Sequence, residues 1–225
     1  MAHAVASEAV ELARLVGARL AHDLAGPLGT ITAAAGLAPG AARSDELLAE
    51  TLSDLMARGR LYAAVFGSAE DTPWHAMPAL LAGAPGAHRI TFDVTPGPPL
   101  RPATAQLALA AGMLAAEGLP RGGCVGDAPG PGGGGAGLPE GPPRARGVRI
   151  APGPGGGVAV LPEGRIAAWP HALIERLGGL APPQPDTARS LMAPWLLALA
   201  RQAGCDLSLG LGGPGTPPLL LRPPG

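Results

Sequence analysis

One histidine dominates the chemistry open to this chain. In LARLVGARLAHDLAGPLGTI, residues 12–31, Leu12, Val16, Leu20, Leu24 and Leu28 recur every fourth position and Ile31 continues the stripe. That is the spacing of a helix with one apolar face. At about 100° per residue, His22 stands roughly 200° from both Leu20 and Leu24, which turns it away from the stripe. An ordinary imidazole titrates near pH ~6.5, so much of it is neutral and nucleophilic at neutral pH. The neighbours of His22 on this outer face are Leu15, Ala18, Arg19, Gly26 and Gly29. They predict a low, nearly uncharged surface where a partner's backbone can dock. Gly26, Pro27 and Gly29 are poor helix formers, and such residues beside an exposed ionisable group are a mark of a functional site. Pro27 is expected to kink the helix one turn past the histidine; the alternative is that it ends one helix and starts another.

Other chemistries lack their residues. The chain has no lysine and no asparagine, so a Walker A loop, a protein-kinase site and a pyridoxal Schiff base are all impossible. The GxSxG elbow of hydrolases is absent too. His3, His75, His88 and His171 show no metal-ligand spacing and read as surface or loop residues, and Cys124 and Cys205 form no CxxC pair. The glycines at 132–135 have no adjoining Lys, Ser or Thr to make a phosphate loop. A net charge of −1 gives no reason to expect nucleic acid or an anionic membrane surface. No stretch reaches the ~20 apolar residues of a spanning helix, and no basic-then-apolar leader opens the chain; the expectation is a cytoplasmic protein.

The elements that would position His22 follow from periodicity. Residues 7–37 read as one helix, broken at Pro39-Gly40. Ser44-Asp45-Glu46 starts a second helix, whose period runs through Leu47, Leu48, Thr51, Leu52, Leu55, Met56, Tyr62, Val65 and Phe66 to a stop at Gly67. A short connection makes an antiparallel hairpin. One hairpin buries one seam, so a dimeric four-helix bundle is the expected solution. The boundary is placed at 1–69 and 70–225. In the second part, strands are expected at 88–95, 148–152, 158–161, 205–211 and 219–222, with a turn into a further short strand in 120–127, and helices at 73–81, 103–119, 167–177 and 187–204. Gly- and Pro-rich residues 126–143 read as a loop. The expected class is α+β, a helical hairpin followed by an α/β sandwich.

His22-Asp23-Leu24-Ala25-Gly26-Pro27 fits the H-[DE]-x-x-x-P phosphoacceptor box of histidine-kinase dimerisation domains. RLAHDLAGPLG, with GRLYAAVFG at 59–67, AEGLPRGG at 116–123 and ARSLMAPWLLALARQAGCDLSL at 188–209, resembles the ChpT-type histidine phosphotransferases of alphaproteobacteria. The resemblance implies a phosphorelay in which His22 takes a phosphoryl group from the receiver domain of a hybrid histidine kinase and returns it to a response regulator. It implies a homodimer and a second domain like a degenerate histidine-kinase ATPase. Helix 103–119 lacks the asparagine that helps such ATPases hold Mg²⁺, and no DxGxG box is present. The chain is therefore expected to bind no ATP and no metal of its own, with Mg²⁺ supplied by the receiver. Asp23 would orient His22 or fix its tautomer, although adjacent helix residues do not normally face each other; the alternative is an ordinary solvated acid. Arg19 would steady phosphoryl oxygens or be an ordinary surface arginine. Gly26 stands where such kinases often carry a phosphatase-assisting Thr or Asn, so phosphatase activity is not expected. The alternatives are a non-catalytic dimeric receiver-binding scaffold and a divergent sensor kinase.

Overall fold

A computed structural model describes residues 2–36, 42–119, 146–164, 167–180, 190–210 and 215–224. The short strand expected in 120–127, the expected loop at 126–143, the glycine tract and Cys124 lie outside the described residues. Helices α1 (Ala2–Ala35) and α2 (Ala42–Phe66) pack along each other. Then come a short 3₁₀ turn at Trp74–Ala76, α3 (Met77–Leu81), a second 3₁₀ turn at Ala87–Arg89, and β1 (Thr91–Val94). Helix α4 (Pro102–Gly118), β2 (Gly147–Pro152), β3 (Val158–Glu163), α5 (His171–Leu177), α6 (Met192–Ala203), β4 (Asp206–Leu209) and β5 (Leu219–Arg222) follow. No helix of the described residues is long and apolar enough to cross a membrane.

The five strands form one mixed sheet in the order β1-β2-β3-β5-β4. β1 runs parallel to β2, with Thr91 opposite Gly147, and the other neighbours are antiparallel. Val148, Ile150, Val158, Val160, Leu219 and Leu221 are buried, the alternation of a sheet with one covered face. That cover is α4, which contacts β2, β3 and β5, with α6 packed beside it. Every residue of α4 from Thr104 to Ala116 is buried. A helix apolar all round belongs in the middle of a protein, and here its alanines let neighbours approach closely on several sides.

Gln106 is a buried polar residue of α4, and it fixes the hairpin to this layer. The last carbonyls of a helix lack intrahelical donors. The Gln106 amide donates to the Val65 and Gly67 carbonyls (3.3 and 2.7 Å), and the Trp195 indole N–H on α6 donates to Val65 as well (3.0 Å). Leu61, Tyr62 and Val65 of α2 accordingly share one core with α4, the sheet and α6. Gly83, just past α3, lies so close to the α2 backbone that a Cβ there would meet the Ala57 carbonyl. Gly83→Ala is expected to cost about 1–3 kcal/mol in urea unfolding, because two backbones rather than a flexible side chain would have to separate.

Some boundaries move for local reasons. The strand expected from 88 begins at Thr91, because Gly86 at φ 81° opens a turn that takes in His88. Helix α5 begins at His171, after Pro170, rather than at 167; the residue before a proline is biased away from helical geometry. Helix α1 reaches back to Ala2. It also runs unbroken through Pro27, so that proline neither ends nor restarts a helix.

The leucine stripe behaves differently from the expectation. A strict four-residue repeat advances about 400° per step, so it slips by ~40° each time. From Leu12 to Leu28 the slip accumulates to ~160°. Leu28 has therefore rotated out to 51% exposure, while Leu15 and Arg19, read as outward, are buried at 1% and 3%.

Candidate functional site

His22 projects from α1 with 60% of its side chain exposed. The next residue, Asp23, turns inward, and only 9% of its side chain is exposed. The two side chains nevertheless meet, with Nδ1 of His22 2.8 Å from Oδ1 of Asp23. The other carboxylate oxygen, Oδ2, accepts from the Tyr62 hydroxyl on α2 and from Nε of Arg19 one turn earlier on α1. Arg19 uses Nη2 to donate to Oε1 of Glu117, on the last turn of α4, at 2.6 Å. Buried charges persist when paired and hydrogen-bonded, and here one guanidinium lies between two carboxylates.

Pro27 brings in a further residue. With no N–H, a proline leaves the carbonyl four residues earlier without its helical donor. That carbonyl belongs to Asp23, and Nη1 of Arg58 on α2 donates to it at 2.8 Å. Asp23 is thus held at its backbone by Arg58 and at its carboxylate by Tyr62 and Arg19.

These contacts set the protonation states. Burial pushes the Asp23 carboxyl up, but hydrogen bonds from Tyr62, His22 and Arg19 outweigh it and leave the group below its ordinary value. The Tyr62 phenol is pushed up, by burial first and then by its bond to Asp23. Burial opposes the charge on Arg19, yet Glu117 and Asp23 together raise it. At neutral pH Asp23 is therefore an anion, and a carboxylate only accepts hydrogen bonds. The contact at 2.8 Å is a hydrogen bond only when Nδ1 of His22 carries the proton. In the neutral ring the lone pair is then on Nε2, the nitrogen away from Asp23.

Beside this constellation is a cavity of about 350 Å³, whose lining includes His22, Asp23, Arg19, Glu117, His88 and Arg89. Nε of Arg89 donates to Nε2 of His88 at 2.9 Å. His88 is the exposed turn residue expected from the sequence, and it also stands at the same cavity as His22.

The structure brings His22, Asp23 and Arg19 together, but Arg19 is not a surface arginine waiting for a phosphoryl group. Its guanidinium is turned inward to Asp23 and Glu117. Leu15 is buried and offers no docking surface in this chain. Ala18, Gly26 and Gly29 are exposed, and a Cβ at either glycine would meet nothing within 4 Å, so the ground around His22 is low and open. Tyr62, Arg58 and Glu117 were not among the site residues expected from the sequence. Each left a signal: a phenol in an apolar stripe needs a partner for its hydroxyl, Pro27 orphans the Asp23 carbonyl, and Glu117 is the lone acid of a largely apolar helix.

The sequence matches no protein-family model and no curated protein. Among solved structures, the fold is similar to that of a bacterial phosphotransferase, with a TM-score of 0.65 and 19% sequence identity over 95% of each chain. At that identity the likeness establishes the fold alone.

Proposed function

We propose that this protein is a histidine phosphotransferase of a phosphorelay, in which His22 carries a phosphoryl group between receiver-domain aspartates. The donor is the receiver of a hybrid histidine kinase and the acceptor a response regulator. The observation that carries this reading is the exposed imidazole of His22, bound at Nδ1 to an ionised, buried Asp23. The fold it shares with a bacterial phosphotransferase agrees with transfer chemistry.

The step balances without a base. The Nε2 lone pair attacks phosphorus in line as the bond to the aspartyl oxygen breaks, and the receiver's carboxylate leaves with that electron pair. Nε2 has no proton to lose. The positive charge that develops on the ring is met by Asp23 across the Nδ1–H bond. The second receiver's aspartate reverses the step. Such transfers ask mainly for position and charge neutralisation; the receiver supplies Mg²⁺, and this chain binds neither metal nor ATP. Gly26 places no side chain near the phosphohistidine, so the group is passed on rather than hydrolysed. In this reading residues 1–69 pair with a second copy as a four-helix bundle, residues 70–225 are a degenerate ATPase-like layer, and the dimer works in the cytoplasm.

The test is label transfer from a phosphorylated hybrid-kinase receiver to the wild type and to His22→Gln, with ATP alone as a control. Acid-labile label on the wild type, from the receiver only and absent from the variant, is the expected result. Label from ATP alone would make the protein a kinase. Failure with several cognate receivers would leave a non-catalytic scaffold.

A further inference from the structure

We infer that Glu117 is a positioning residue for His22, acting across the junction between α4 and the hairpin through Arg19 and Asp23. The inference rests on the phosphotransfer reading for its meaning, but its geometry stands apart from it. Arg19 spends Nε on Oδ2 of Asp23 and Nη2 on Oε1 of Glu117. These two nitrogens lie on one edge of the guanidinium, the edge that closes two parallel bonds onto a single carboxylate whenever it can. Glu117 draws Nη2 away from Asp23 and so divides Arg19 between two anions. Oδ1 of Asp23 is thereby left for Nδ1 of His22.

Neutralising Glu117 weakens its hold on Nη2. The guanidinium then swings onto Asp23 and takes both oxygens, since a buried cation seeks its full complement of partners. Oδ1 then divides its lone pairs between Arg19 and His22, and its pull on the proton at Nδ1 weakens. More of the ring carries its proton on Nε2, which has no lone pair there to attack phosphorus. The α/β layer thus contributes to the chemistry without touching the phosphoryl group, because it keeps the nucleophilic nitrogen of a histidine on another element unprotonated.

The experiment is ¹⁵N NMR of the full-length protein labelled at histidine, with His22 assigned by its loss in His22→Gln, for the wild type and Glu117→Gln. The wild type is expected to show His22 mainly as the Nδ1–H tautomer. The variant should show a shift toward Nε2–H and a fall in phosphoryl transfer that approaches about 100-fold, the scale of a misplaced reacting group. Glu117→Asp keeps the charge but shortens the reach and should give a smaller shift in the same direction, which covers a Glu117→Gln variant that does not fold. An unchanged tautomer in a folded Glu117 variant overturns the inference. The spectrum needs no receiver, so a wild type that takes no label would sink the phosphotransfer reading and leave this readout to decide the role of Glu117 by itself.

Discussion

Asp23→Asn is expected to lose at least about tenfold in phosphoryl transfer and roughly 2–4 kcal/mol in stability, from two separate causes. The chemical cause is the asymmetry of an amide. Tyr62 and Arg19 both donate to the buried side of Asp23, so they select the amide oxygen and turn the NH₂ toward His22. An NH₂ can only donate. Nδ1 of His22 then becomes the acceptor, its proton goes to Nε2, and the nucleophile is lost. The stability cause is the buried cation. Removing one partner from a buried pair costs about 3–5 kcal/mol, and the loss is smaller here because Arg19 keeps Glu117 at 2.6 Å. The effect also has a pH signature. Because the folded-state value of Asp23 lies below its ordinary one, its stabilisation is complete above the unfolded pKa of about 3.9 and is lost as pH falls through the folded value. Thermal melts of wild type and variant should differ fully at neutral pH and converge in acid. A constant gap down to the acid limit would show that Asp23 is not ionised against these partners.

How much of this was legible in the sequence depended on the range of the interaction. The helix that carries His22, the second helix ending at Gly67 and the β2–β3 pair all rest on local periodicity and turn residues, and the structure has them within a few positions. The direction of each side chain on α1 was less secure. A wheel drawn about a leucine stripe assumes that the stripe marks the buried face along its whole length, and the accumulated slip put Leu28 outside and Leu15 inside. Arg19 is buried because of Glu117, 98 residues later, and no local pattern contains that partner. The reverse held for Asp23. The rule that adjacent helix residues do not face each other argued against a contact with His22, yet an inward carboxylate and an outward ring still meet at 2.8 Å. Gln106 shows the same limit. A lone amide in an apolar helix can be recognised as needing partners, but not that these are the terminal carbonyls of α2.

Substituting aspartate at both Leu52 and Met56 is expected to convert the proposed dimer to a monomer, read by light scattering at micromolar concentration. These side chains sit one turn apart on α2 and are 41% and 64% exposed in the single chain, and Leu28 on α1 is also more than half exposed. Fully burying such a side chain contributes about 1.5–3 kcal/mol, and a carboxylate in its place would have to be desolvated as well. Losing both contacts therefore weakens association by at least about 10², at ~1.4 kcal/mol for each tenfold. The same substitutions should leave the melting of the isolated chain nearly unchanged, since surface changes away from buried networks stay within about 0.5 kcal/mol. A wild type that is already monomeric would remove the bundle from the proposal. It would not remove the site: Asp23, Arg19, Arg58, Tyr62 and Glu117 reach one another within one chain. The monomeric variant should consequently keep the Nδ1–H tautomer of His22, and any fall in its transfer rate would measure what the second copy adds to receiver docking.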